Sequence, residues 1–218
     1  EAILLAGEEA FSAQNYEEAI SYFASAGDAG KERWADAVYN QGVVLLQKED
    51  PDKALELLNR ISGETRAQEQ IGAAYLAIAR RQYAYGDAET AIETARKIQN
   101  TKYADVTAFF DMVYHDSGNE LFDWLEYQDA KEAYEKCVKD PAAKVNAEIL
   151  GELIVGNHYA AAVLADASVV SGSTDLSREQ WAAAFENIIG PPRGVALDAV
   201  LAGELAKKIV TGDCDLGD

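Results

Sequence analysis

The chain is poor in several residue types, and each shortage excludes something. Of its 218 residues only two are cysteine, four proline, one methionine and two histidine. Cys137 and Cys214 cannot build a disulfide framework. Cys137 takes a core position in one of the repeats described below and reads as a buried thiol; a bridge to Cys214 is the rarer alternative. With so few prolines and no run of alternating apolar and polar residues, there is little room for a sheet. No stretch approaches 18 consecutive apolar residues, the length a membrane-spanning helix needs. GxSxG, GxGxxG, the phosphate loop and HExxH are all missing, so the expectation is no catalysis, no cofactor and no metal. His115-Asp116 is the one base–carboxylate juxtaposition, but sequence neighbours do not face each other on a helix and no nucleophile accompanies them.

Positive charge is scarce as well. There are 19 Lys and Arg against 38 Asp and Glu, for a net charge of −19. That leaves no footprint for neutralising nucleic-acid phosphates and no attraction to an anionic bilayer. The plain reading of the acidity is solubility. The sharper one is a negative groove that selects basic partners, and a salt-adapted source is a third. The terminal Asp213-Cys214-Asp215-Leu216-Gly217-Asp218 lacks the 12-residue ligand set of a calcium loop and reads as an acidic tail. The first residue is Glu1 rather than Met, as in a processed form that has lost a signal peptide or anchor, or in a trimmed one. Periplasm and cytoplasm both stay open.

What the chain does have is a repeat. Gly7, Ala19 and Phe23 recur as Gly42, Ala54 and Leu58, as Ala79, Ala91 and Ala95, and as Gly118, Ala130 and Tyr134. The alanines are spaced by 35, 37 and 39 residues, a period typical of helical solenoids. Within each copy an apolar helical pattern breaks at a polar turn and resumes: near 14–15, 50–51, 86–87 and 126–127. In the first copy Ile3, Gly7, Ala10 and Phe11 form the pattern before the break. The small residues are expected where two antiparallel helices cross closely, with Tyr16, Phe23 and their equivalents filling the space between hairpins.

Tyr16-Glu17-Glu18-Ala19-Ile20-Ser21-Tyr22-Phe23 and Tyr127-Gln128-Asp129-Ala130-Lys131-Glu132-Ala133-Tyr134 resemble the start of the second helix of tetratricopeptide (TPR) repeats. Asp52-Lys53-Ala54-Leu55 and Gly86-Asp87-Ala88-Glu89-Thr90-Ala91-Ile92 are variants of it. The resemblance covers roughly residues 2 to 140 and implies an all-α, right-handed helical-hairpin solenoid. It departs from the family in a stretched period, in Val38 and Ile3 where an aromatic is usual, and in Ala95 where a large ring is usual, which implies looser packing or a changed pitch in the third copy.

Residues 1–140 are assigned to repeats 1–4, 141–172 to a degenerate fifth hairpin whose register is ambiguous by one residue, 173–212 to C-terminal capping helices and 213–218 to the tail. Ser171-Gly172-Ser173-Thr174 reads as a flexible break. Ser177 and Gln180 have capping-box spacing ahead of a helix carrying Trp181, Phe185, Ile188 and Ile189. Gly190-Pro191-Pro192-Arg193-Gly194 ends it. A last helix, about 195 to 210, is expected to bury Leu197, Val200, Leu201, Leu205 and Ile209.

The resemblance further implies that the first helix of each hairpin lines a concave surface that holds a protein or peptide. Its partner-binding stripe is Leu4, Glu8, Phe11 and Ser12; Tyr39, Val43 and Leu46; Leu76, Arg80 and Tyr83; and Met112, His115, Asn119 and Phe122. The alternative for each is core packing against a neighbouring hairpin. Asn40 matches an asparagine of the family's carboxylate clamp, but Leu4 and Glu8 stand where lysine and asparagine are required, so a C-terminal-tail clamp is excluded. The expectation is a non-catalytic interaction module or scaffold for a protein or peptide partner, basic in character if the acidity is selective rather than only solubilising, with self-assembly into a homo-oligomer and an accessory subunit holding a small ligand as alternatives.

Overall fold

The computed structural model describes residues 1–98, 104–189 and 206–212. All regular structure among them is helical. The chain forms two compact units, Glu1–Val106 and Thr107–Asp218.

The first unit contains three hairpins. They are α1 (Ala2–Ser12) with α2 (Tyr16–Ser25), α3 (Lys31–Gln47) with α4 (Pro51–Leu58), and α5 (Thr65–Ala84) with α6 (Ala88–Ala95). Short 3-10 turns at Gly27–Gly30 and Asn59–Ile61 join one hairpin to the next. The second unit holds most of α7 (Ala104–Asp123) with α8 (Tyr127–Glu135), then α9 (Pro141–Ile154) with α10 (His158–Ser171), then α11 (Arg178–Ile189). A helical stretch over 206–211 follows. Consecutive helices pack on one another through each unit.

One turn is used five times. Gln14, Glu49, Gly86, Leu125 and Gly156 all adopt positive φ, between 58° and 89°. In every case the next amide closes a six-residue loop onto the end of the first helix: Asn15 N to Ala10 O, Asp50 N to Leu45 O, Asp87 N to Gln82 O, Glu126 N to Leu121 O and Asn157 N to Glu152 O, at 2.8–3.1 Å. This is the left-handed cap that satisfies the orphan carbonyls of a helix end. It stops the first helix and points the chain back along it. The four expected turns fall where the sequence places them, and the fifth removes the register ambiguity. Counting four residues on from Asn157, as Ala19 follows Asn15, makes Ala161 the fifth anchor.

Ala19, Ala54, Ala91, Ala130 and Ala161 are all at 0% exposure. The residues on either side of them correct the packing scheme. A Cβ on Gly7 would come within 2.6 Å of the Phe23 ring, one on Gly42 within 2.6 Å of Leu58, and one on Gly118 within 2.5 Å of the Tyr134 ring. The large side chain therefore lies inside its own hairpin, on the bare glycine, rather than between hairpins. In the third hairpin both members, Ala79 and Ala95, are small and buried. In the fifth the sizes are reversed, with Ile149 and Ala165 at those positions and both buried.

The long period has its source in the first helices. α3, α5 and α7 have 17, 20 and 20 residues, whereas α4, α6 and α8 have 8, 8 and 9. Asp50, Asp87 and Asp140 cap the N-termini of α4, α6 and α9 through their side chains, two of them followed by proline at the first helical position. Ile3 is 46% exposed, contrary to its expected place in the pattern; Leu4 packs inward in its stead.

In the second unit the capping box forms in both directions. Gln180 N donates to Ser177 Oγ at 3.2 Å, and Ser177 N donates to Gln180 Oε1 at 3.0 Å. Trp181 and Phe185 of α11 are fully buried with Ile149, Leu150, Leu153 and Tyr134. Ala206, Ile209 and Val210 join the same core. Gly190 to Gly194, Leu197, Val200, Leu201, Leu205 and the tail with Cys214 lie outside the described residues. Cys137 is a buried free thiol. Burial, with Asp111 and Asp140 nearby, pushes its pKa up to about 12, so it stays an unreactive SH.

Candidate functional site

In the first unit the first-helix stripe is crossed by an ion-pair ladder. Arg33 of α3 reaches Glu8 of α1 with both sides of its fork, Nε to Oε1 at 2.6 Å and the terminal nitrogen to the other oxygen. Asp36 takes Arg33 at 3.3 Å on one oxygen and Arg66 of α5 at 2.8 Å on the other. Glu64 closes the ladder on Arg66 at 2.7 Å. The guanidiniums also lie over rings, Arg33 4.6 Å from the centre of Phe11 and Arg66 5.0 Å from that of Tyr39. The hydrogen bond from Arg33 holds Glu8 below the usual carboxylate range. Of the residues expected to bind a partner, Glu8, Phe11 and Tyr39 are thus engaged internally. Leu4 and Leu46 are partly buried against the core. Asn40 bonds to the Asp36 carbonyl of its own helix at 3.0 Å. Ser12 and Arg80 are exposed, and Val43 and Tyr83 half-buried.

Two members of the stripe are not surface residues. Leu76 is 8% and Phe122 3% exposed. α5 is flanked by α4 and α6 and buries seven residues, Leu76 among them. The Phe122 ring meets Tyr127 and Trp181 edge-on, with centroids 5.2 and 5.3 Å away. α11 covers a face that the sequence leaves open. Neither side chain is accessible to a partner.

The second unit gathers the densest polar cluster, around His115. Its Nδ1 lies 2.5 Å from Asp140 Oδ2 and its Nε2 2.9 Å from Asp175 Oδ2. The carboxylates that orient the imidazole are therefore Asp140 and Asp175, not the sequence neighbour Asp116. Asp140 spends its other oxygen on capping α9, accepting from Ala142 N and Ala143 N at 2.9 and 3.1 Å. Asp175 also accepts from Asn119 Nδ2 at 2.9 Å and from Asn146 Nδ2 at 2.8 Å. Asn119 Oδ1 accepts the Tyr134 hydroxyl at 2.6 Å, and Asn146 Oδ1 accepts the Thr174 hydroxyl at 2.6 Å. The Tyr134 ring stands edge-on to the imidazole at 5.7 Å. The segment read as a flexible break is thus pinned: Gly172 takes φ 68° to end α10, and Thr174 and Asp175 are tied to α7 and α9.

Burial alone would lower the pKa of His115, but its hydrogen bonds to Asp140 and Asp175 outweigh it and raise the value above 6.5. The same balance runs the other way for the carboxylates. Burial favours their neutral forms, and hydrogen bonds, His115 prominent among the donors, bring both below the usual carboxylate range. The three acidic and imidazole groups do not form a metal-ligand set, and none is found among the described residues.

Beside the cluster lies an open cleft of about 570 Å³, lined by Ala108, Asp111, Met112, His115, Asp116, Asn119, Lys139, Asp140, Pro141 and Asp175. Three sequence-predicted residues, Met112, His115 and Asn119, meet here. Met112 is 41% exposed. Asp111 is committed to structure, accepting from the backbone of Val138 and Lys139 at 2.6 and 2.8 Å. Four aspartates against Lys139 and His115 make the cleft acidic.

Sequence reasoning missed Asp140, Asp175, Arg33 and Arg66. Asp140-Pro141 carried a usable signal, an N-cap aspartate before a first-turn proline. Asp175 carried none, because its partners lie 29, 56 and 60 residues away. Among the described residues no helix is long and apolar enough to cross a membrane. The chain matches no protein-family model, no curated protein and no solved structure.

Proposed function

We propose that the chain is a tetratricopeptide-type array of helical hairpins that holds a protein or peptide partner and performs no reaction itself. The observation that carries this reading is the five-fold recurrence of one hairpin, with the same left-handed turn and the same buried alanine. Arrays of that kind present one helix of every repeat to a partner. Within the first unit Ser12 and Arg80 are exposed candidates and Val43 and Tyr83 half-buried ones. Within the second they are Met112, His115 and Asn119 at the acidic cleft. The cleft's charge favours a partner segment with lysine or arginine, and the thioether of Met112 suits the methylene stem of such a side chain. Its volume also falls in the range of small-ligand sites, which favours, as a second reading, a free organic cation in the same place.

A random-peptide display selection against the purified chain tests both readings. The expected outcome is enrichment of basic sequences whose binding weakens about fivefold or more in Met112→Ala or Tyr83→Ala, since truncating a contact residue of this kind costs on the order of 1 kcal/mol. Selection of acidic or purely apolar sequences, or unchanged binding in both variants, sinks the reading. Binding by free amines as tight as by the peptides replaces it with the second.

A further inference from the structure

His115 touches a carboxylate with each ring nitrogen, and a neutral imidazole has only one N–H. The two contacts, at 2.5 and 2.9 Å, can both be hydrogen bonds to ionised carboxylates only while the ring carries two protons. Take one away, and a nitrogen lone pair faces a carboxylate oxygen. Asp140 sits at the first turn of α9 and Asp175 in the loop between α10 and α11. The imidazole on α7 is what joins them. We propose that His115 is a proton-operated clasp: doubly protonated, it ties the 173–177 loop to the start of α9, and loss of its proton loosens that loop along the acidic cleft.

The charged surroundings favour the closed form. From α7 itself Asp111 and Asp116 line the same cleft. α8 contributes only the Tyr134 hydroxyl, which burial keeps protonated. The turn before α9 brings Asp140 and Lys139, the other cation among the described residues lining the cleft. α9 adds uncharged Asn146, and the loop adds Asp175. Asn119 and Asn146 still hold the ionised Asp175 when His115 is neutral, so deprotonation of His115 loosens the loop without unfolding the unit. It also leaves the cleft one charge more negative, which is why the clasp bears on the proposed capture of basic partners; to that extent the inference rests on that reading.

The test needs no partner. In the wild-type chain, NMR titration of the two histidine ring signals gives the midpoint of each, and His158 serves as an internal contrast because burial lowers its value. The His115 midpoint should lie above about 6.5. Across it, the exchange protection of the amides of Ser173, Leu176 and Ser177 should fall, by up to tenfold for every unit by which the midpoint exceeds 6.5. Asp175→Asn should lower the midpoint, and His115→Gln should make the protection independent of pH between 6 and 9. Should His115→Gln fail to fold, the wild-type titration and exchange decide alone. A His115 midpoint at or below 6.5, or protection that ignores the titration, overturns the clasp while leaving partner capture untouched. Intact titration with no basic peptide bound fails the binding reading only.

Discussion

The ladder of the first unit and the cluster of the second solve one problem with different cations. In both, carboxylates bridge the first helices of neighbouring hairpins. In the first unit the bridge is arginine, and every side chain in it is at least a quarter exposed. In the second it is a histidine whose side chain is only 14% exposed, with asparagines bonded to Asp175 and backbone amides to the other oxygen of Asp140. Arginine is protonated at any pH a protein survives, and its exposed pairs are screened by salt. The ladder is therefore a rim of weak, salt-sensitive contacts that do not respond to protons near neutrality. The histidine cluster is less screened and carries a group that titrates in that range. The same topological join is a passive brace in one place and a proton-sensitive one in the other.

The largest expected difference lies beneath these networks. Gly118→Ala should cost about 3 kcal/mol and Gly7→Ala roughly 1 kcal/mol, both by overpacking against the small helical advantage of alanine. Either Cβ would meet a ring, but the Tyr134 hydroxyl is tied to Asn119 and cannot retreat, whereas Phe23 has no polar tether. Urea midpoints for the two variants measure this; equal losses would erase the distinction.

Next comes removal of the central carboxylates. Asp175→Ala strips partners from His115, Asn119 and Asn146 together and should cost roughly 2 kcal/mol. Asp36→Ala leaves Arg33 to Glu8 and Arg66 to Glu64, and should cost under about 1 kcal/mol. If Asp36→Ala proved the more damaging by thermal melting, the ladder would be the structural brace and the cluster an ornament.

A smaller effect separates the units by pH. The raised pKa of His115 means that its proton's contribution is complete below about 6.5 and is lost as pH rises through the folded-state value. The lowered values of Asp140 and Asp175 act on the other side: their contribution is complete above about 3.9 and is lost as pH falls through the folded-state values. The second unit should lose stability at both ends, and the Glu8 ladder only at the acid end, where the lowered pKa of Glu8 is crossed. Hydrogen exchange resolved by segment, run from about pH 2 to 9 so that both the lowered carboxylate values and the raised histidine value are crossed, reads the two separately. The smallest effect is ionic. Raising NaCl to 1 M should increase exchange around Arg33 and Arg66 and leave the His115 cluster nearly unchanged; an equal response in both would place the cluster in solvent.

The helical hairpins were legible because everything that makes them is local. An apolar stripe, a turn residue and an alanine four places past the following N-cap are all within one repeat. Even the reversed pair Ile149 and Ala165 sits where counting puts it once Gly156 is recognised as the turn. The face of each helix was harder. Phe122 has the spacing of a stripe residue, but α11 folds back over it from some sixty residues later, and no period announces that return. Asp175 was out of reach for the same reason. It stands in a Ser-Gly-Thr segment whose composition signals a loose connection, and only the asparagines and imidazole brought to it by folding make it a fixed point.

The order in which the helices pack has a kinetic corollary. Within each unit the helices pack mainly on their neighbours in the chain, so most contacts close short loops, and chains dominated by local contacts gain structure quickly. The contact between His115 and Asp175 spans 60 residues and cannot form until α8, α9 and α10 are stacked. It should therefore be among the last native contacts made and the first released. In stopped-flow experiments, Asp175→Asn should speed unfolding and leave the folding rate almost unchanged.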